Sequence, residues 1–283
     1  MKIIPLTYQQ NNNKITYQGG MNSKIKSEIM HTDCNKIQNS LLDTYDIKAD
    51  FAGNKIIALS INKVTHLLNE LQEKYNLKIW YPAFIFTGKP ENYDIDINLS
   101  DYTYGFTNFL PCKFNKNSND TVPGMSIIFN ENYPWEKLDE KSDLNFELRH
   151  STTNHFLEPF LHEYGHINHE GNLLTKYAGQ ELLDKFNELL NHEFISKYKI
   201  QYANIIREYL CNYASESPLE TIACDMSKRF IDNLDLKELE FKQNPFKASP
   251  YEGFSIRKIF KQKTPLDIML KAIYNGKTDI ITK

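Results

Sequence analysis

The sequence predicts an α+β protein, with a mixed sheet and a covering helix in its N-terminal half and mainly helices in its C-terminal half. Short β-rich runs at residues 78–86, 93–99, 103–110 and 125–129 cluster before residue 130. Apolar residues at helical spacing recur on both sides of that cluster. The chain of 283 residues, 41% hydrophobic and 13% aromatic, is long enough to bury a substantial core. We expect a polar leader over residues 1–50 and one domain over 51–283, with a sheet part to about residue 150 and a helical part from about 151.

In chain order, the N-terminus turns polar at Gln9 and Gln10, so a cleavable signal peptide lacks its apolar core. Residues 8–40, rich in Asn, Gln, Ser and Lys around Gly19 and Gly20, read as loosely ordered. Such a leader suits a cytoplasmic chain with a frayed end as well as one exported by a non-cleaving machine. No apolar run is long enough to span a membrane, which leaves a soluble protein. Regularity begins at Phe51. Residues 61–75 place Val64, Leu67, Leu68 and Leu71 on one helical face, with Ser60 as the candidate cap, and this helix should cover the sheet. The run at 78–86 holds Pro82, which favours an edge or a bend, and Pro123-Gly124 introduces the short apolar run at 125–129. Residues 131–147 carry Glu131, Glu136, Asp139, Glu140, Asp143 and Glu147 and read as a solvated acidic connector, or as a rim preferring basic substrate segments. Pro159 then sets a helix start near Glu158, because proline is tolerated only at the first helical positions.

That helix carries His162-Glu163-Tyr164-Gly165-His166. Two histidines four residues apart share a helical face and can reach one Zn²⁺, while the glutamate between them is turned aside to hold the attacking water and take its proton. A glycine inside a helix loses about 1 kcal/mol of propensity relative to alanine, so Gly165 suggests another backbone packed close by. A catalytic zinc needs a third protein ligand. His169 lies seven residues beyond His162, about 10.5 Å along a continuing helix and too far to serve. The bent arrangement H-E-x-x-H-x-x-G-x-x-H fails too, with His169 at its glycine and Asn172 at its last histidine.

Residues 173–211 read as one or two amphipathic helices, through Leu182, Phe186 and Leu189, then Tyr202, Ile205 and Leu210. A further helix opens at Ser217-Pro218-Leu219-Glu220. Glu220 is the natural third ligand, approaching from a separate helix, and Ala223 one turn on is small enough to pack against Gly165. The same four residues form an S-x-x-E capping box, so Glu220 either ligates or caps. Glu216 and Glu170 are the weaker candidates for the third ligand.

The motif and the stretch from Tyr213 to Ala223 resemble the catalytic core of the gluzincin peptidases, most closely the anthrax lethal factor-like domain, including Pro-Pro endopeptidases. In that group a tyrosine stands seven residues before the glutamate ligand and an alanine often three after it, as Tyr213 and Ala223 do here. The resemblance covers residues 162–225. It implies a zincin-like fold, zinc held by His162, His166 and Glu220, Glu163 as general base, and Tyr213 as donor to the oxyanion. Where the group commonly has an acidic residue, this chain has Cys224, with Asp225 next to it as a possible supporting partner. The resemblance also implies hydrolysis of peptide bonds in a protein or peptide substrate, a host protein included if the chain is a bacterial effector or virulence factor. The competing reading is a non-catalytic binding module with a vestigial zinc site, against which the intact Glu163 counts.

A net charge of -3 provides no general basis for binding nucleic acid or an anionic membrane. Cys34, Cys112, Cys211 and Cys224 lack C-x-x-C spacing, so neither a zinc ribbon nor a dense disulfide framework is indicated. Cys211 and Cys224 read as small buried hydrophobes or as incidental thiolate ligands. Tyr213, one of 17 tyrosines, has core packing as its alternative role.

Overall fold

In chain order the first elements are helices α1 (Ser23–Met30) and α2 (Cys34–Tyr45), strand β1 (Lys48–Asp50) and helix α3 (Lys55–Tyr75). They belong to a computed structural model that describes residues 21, 23–89, 103–108, 112–113, 121–122, 124–235 and 265–278. Residues 23–50, expected as part of a polar leader, are therefore helical and stranded. Asp33 caps α2 by accepting from the Lys36 N–H, and Leu41 beneath it is fully buried, enough local and packing support to order an otherwise polar segment. The rest of the expected leader, residues 1–20 and 22, lies outside the described residues. Helix α3 starts earlier than its apolar pattern suggested. Asn54, not Ser60, is its cap, accepting from the N–H groups of Ile56 and Ile57, and Ser60 is buried inside the helix. Ile57, Ile61, Val64 and Leu68 are fully buried along one side, each burial stabilising by roughly 1.5–3 kcal/mol.

The strands that follow are β2 (Phe84–Gly88), β3 (Gly105–Asn108), β4 (Cys112–Lys113), β5 (Thr121–Val122) and β6 (Ser126–Asn130). They form a four-stranded sheet in the order β1-β2-β6-β3 and a separate β4-β5 pair. Strands β1, β2 and β6 run parallel, with Ile85 opposite Ile127, and β3 closes the sheet antiparallel, with Thr107 opposite Ile127. The expected run at 78–86 thus becomes a strand only from Phe84, and it is interior. Pro82 stands before the ladder rather than in it, so it imposes no edge position. Residues 78–81 are held instead by helix contacts: Asn168 accepts from the Trp80 N–H at 2.9 Å and donates to its carbonyl at 3.2 Å. The run expected at 93–99 lies outside the described residues.

Beyond the sheet come a 3₁₀ turn (Trp135–Lys137) and helices α4 (Leu138–Glu147), α5 (Glu158–Leu174), α6 (Gly179–Leu190) and α7 (His192–Tyr209). A second 3₁₀ turn (Tyr213–Ser215), α8 (Pro218–Asp235) and α9 (Pro265–Tyr274) complete the described chain. The protein is therefore α+β, a small mixed sheet with mostly helical content. The acidic stretch expected as a solvated connector buries Trp135 and Leu138, with the Trp135 indole N–H donating to the Asn130 carbonyl at 2.9 Å. Phe129, Trp135 and Phe160 pack in edge-on and tilted contacts between sheet and α5, with ring centroids 5.2 to 5.8 Å apart. The buried pair of Thr65 and Tyr164 hydroxyls, 2.8 Å apart, fastens α3 to α5.

Helix α5 begins at Glu158 as its proline demands, and it crosses α8 at the glycine. A Cβ at Gly165 would stand 2.8 Å from the Ala223 Cα and 3.0 Å from its carbonyl oxygen. Those obstructing atoms are backbone, so α8 itself would have to move. Gly165→Ala is expected to destabilise the fold, because overpacking of about 1–3 kcal/mol exceeds the roughly 1 kcal/mol gained in helix propensity. The urea midpoint of the variant against the parent measures this, and an unchanged or raised midpoint would mean that the crossing has slack.

Candidate metal centre

One turn of α5 separates His162 from His166, and their rings meet edge to face with centroids 4.9 Å apart. Helix α8 brings Glu220 across the crossing, its Oε2 3.0 Å from His162 Nε2 and 3.5 Å from His166 Nε2. The ligand atoms of these three residues lie within 4.8 Å of one another. Among the described residues they are the one such trio of His, Cys, Asp or Glu side chains. Ligands at about 2.0–2.2 Å from a tetrahedral zinc stand roughly 3.3–3.6 Å from each other, so two imidazoles and a carboxylate at these separations fit that ion with small adjustments. The helix start is capped locally. Ser217 Oγ accepts from the Glu220 N–H at 3.2 Å, while the Glu220 carboxylate reaches the histidines, so the serine caps the helix and the carboxylate faces the two imidazoles.

The electrostatics follow from that closeness. Burial disfavours the charged form of His162, but the hydrogen bond and charge of Glu220, helped by Glu163 and Glu158, raise its pKa to about 9. Burial likewise opposes ionisation of Glu220, and the two histidines overcome it, holding the carboxyl well below its usual range. Beneath His162 lies Glu158, buried, accepting from Thr152 N–H and Oγ1 at 3.3 and 3.2 Å. Burial pushes its pKa up.

Glu163 is buried and its Oε2 accepts from Thr107 Oγ1 at 2.7 Å. Strand β3 thereby sets the rotamer of the motif glutamate. Tyr213, on its 3₁₀ turn, packs its ring 5.8 Å from that of His162 and remains 42% exposed at the cleft. Burial around its hydroxyl, then the charges of Glu220 and Glu163, raise its pKa far above the usual phenol value, so it is a neutral O–H donor. The segment before it is stitched to the other wall: Asn212 N–H donates to the Arg149 carbonyl at 2.6 Å, and the Arg149 guanidinium donates to the Arg207 carbonyl. Between these walls lies a cleft of about 610 Å³, bordered by Tyr104 and Thr107 of the β3 region, by His162 and Glu163, and by Tyr213 and Glu220.

All five residues singled out from the sequence, His162, Glu163, His166, Tyr213 and Glu220, border this one cleft. Others fall away. His169 turns to the opposite side, 3.0 Å from the Ile273 carbonyl and stacked on Tyr274, with burial lowering its pKa to about 4. Glu216 pairs with Lys199 at 2.7 Å. Glu170 is buried, and burial with the nearby Glu163 charge drives its pKa well up. Asp225 pairs with Arg229 at 2.6 Å and does not support a histidine. Cys224 stands there instead, Sγ 3.6 Å from His162 Nδ1, because four residues along α8 from Glu220 is the same face and five is not. Sequence reasoning missed Thr107, Tyr104 and Glu158. Of these only Glu158 had a local signal, since position 158 lies one turn before His162.

No family model matches the chain, and no solved structure matches it. Cullin-5 of Dictyostelium discoideum is similar to it, 29% identical over 136 residues that cover 43% of this chain and 17% of that protein. The chain thus matches a small part of the length of that relative, and the match assigns it to no family.

Proposed function

We propose that the protein is a zinc-dependent metalloendopeptidase of the gluzincin type, with a zincin-like catalytic domain acting on a protein or peptide substrate. The observation that carries this is the convergence of His162, His166 and Glu220 at ligand separations, with Glu163 held beside them by Thr107. A zinc ion held by these three would supply a Lewis acid that polarises the scissile carbonyl and acidifies the attacking water. Glu163, fixed by its hydrogen bond, takes the proton of that water and delivers it to the leaving amine. Tyr213 donates its O–H to the oxygen on which charge develops. Strand β3, at the end of the sheet and in contact with Glu163, is the strand beside which an extended substrate would lie and pair through its backbone. Metal analysis of the purified protein, then cleavage of a proteome-derived peptide library with and without a chelator, tests the reading. About one zinc per chain and chelator-sensitive cleavage are expected, and a metal-free chain that cleaves nothing after zinc addition would sink it.

Two further results are expected at this site. Tyr213→Phe should keep zinc and structure while lowering turnover by roughly ten- to a thousand-fold; a kcat equal to the parent's would return Tyr213 to a packing role. Zinc binding should also release a proton. His162 has its pKa raised to about 9, so the metal-free protein carries that proton at pH 7 and must lose it for the imidazole to ligate. Affinity should accordingly rise by up to about tenfold per pH unit between pH 7 and 9 and level off above. Calorimetry in buffers of different ionisation enthalpy checks this, and a pH-independent affinity over that range would contradict it.

A further inference from the structure

The thiols of Cys211 and Cys224 are not used by the chemistry above, yet they lie together against it. Their Sγ atoms are 3.8 Å apart, both residues are buried, and Cys224 borders the cleft through which a small oxidant can arrive. Each is wired to a different part of the site. Cys224 Sγ rests 3.6 Å from His162 Nδ1, and Cys211 Sγ accepts from the Ala214 N–H at 3.4 Å, inside the turn that carries Tyr213.

We infer that Cys211 and Cys224 are a modification site, closed to a disulfide by a hydroperoxide and reopened by a thiol reductant, whose closing loosens the metal centre. A disulfide needs its sulfurs at about 2.05 Å, so these two must approach by roughly 1.8 Å. Cys224 Sγ then leaves His162 Nδ1, which loses the neighbour that steadies its ring, and Cys211 draws on the turn holding Tyr213. The reaction balances without another reagent. One thiolate attacks the peroxide oxygen, giving a sulfenic acid and releasing a first water from H₂O₂. The second thiolate attacks that sulfur, forming the S–S bond and displacing hydroxide, which leaves as a second water with the remaining thiol proton. The bond itself rests on the thiol pair alone, whereas its effect on zinc rests on the metal-site reading above.

Trypsin provides a direct readout, since both cysteines fall in the one fragment 208–228 between Arg207 and Lys228. Full-length zinc-loaded protein, freed of reductant and treated with hydrogen peroxide, should yield this fragment unable to take an alkylating reagent until it is reduced, and then taking two. A fragment that alkylates twice without reduction, or whose two cysteines themselves carry added oxygen, overturns the proposal. Zinc titration of the closed form should show affinity lower by about tenfold or more, the scale on which supporting partners of a ligand act, restored by dithiothreitol. A closed fragment with unchanged zinc affinity overturns the coupling. Cys211→Ser should hold zinc as the parent does under reducing conditions and lose all peroxide sensitivity of that affinity, with Cys211→Ala as the second variant should serine perturb folding. Were the parent itself to bind no zinc, fragment mapping would still decide the disulfide, and the failure would belong to the metal-site reading.

Discussion

Glu163→Gln is expected to leave zinc content and circular dichroism at parental values while turnover falls by roughly 10²- to 10⁴-fold, the range contributed by a positioned general base. The amide has nearly the shape of the carboxylate, and its oxygen can still accept from Thr107 Oγ1, so the surroundings of the buried side chain persist. What disappears is the ability to take up a proton. The loss should fall on kcat and on kcat/KM alike, because the missing interaction develops only as the water is deprotonated. Turnover at the parental rate would remove Glu163 from the chemistry and, with it, the reason to prefer a peptidase over a binding module.

Glu220→Gln is the second large effect and separates a ligand from a cap. The Ser217 bond to the Glu220 N–H is made by the backbone of residue 220, so substitution leaves it in place and α8 should begin as before. The carboxylate contacts at 3.0 and 3.5 Å to the two histidines, by contrast, depend on the negative charge. Zinc affinity should therefore fall by more than the roughly 10- to 100-fold that loss of an outer partner costs, and activity should vanish with it. Circular dichroism guards against misfolding. Native zinc affinity in this variant would pass the third position to another residue and end the gluzincin reading.

The parts of the fold and site that were legible in the sequence are those with a local cause. Pro159 and Ser217-Pro218 set two helix starts, and both helices begin where those residues place them. Gly165 and Ala223 forecast a close crossing because a bare Cα in a helix has few other uses. Contacts made at long sequence distance were not legible. Thr107 reaches Glu163 across 56 residues, and nothing in a threonine within a strand reveals its partner. The order of the sheet was equally hidden, since Pro82 argues for an edge only if it lies within the ladder, and the strand starts two residues later. Residues 23–45 misled through composition: their polar side chains outnumber the apolar ones, yet a buried Leu41, the Asp33 cap and the Gln38 bond to the Ala49 carbonyl are enough to order α2. Cys224 was obscured by expectation, as an acidic neighbour drew attention away from the position that helical geometry favours.

The crossing at Gly165 and Ala223 bears on how chains of this kind are recognised and diversified. His162 and Glu220 are 58 residues apart, and the intervening α6 and α7 supply none of the three side chains that meet there. Only the angle and closeness of α5 against α8 determine whether the donors meet. The length between them is then nearly neutral, because lengthening a closed loop adds little to its entropy cost, about 0.6 kcal/mol for each doubling. A search pattern that fixes the gap from the histidines to the third ligand would pass over such chains. One that pairs a glycine inside the first helix with a small residue three places after a glutamate in the second would recover them, whatever has been inserted in between.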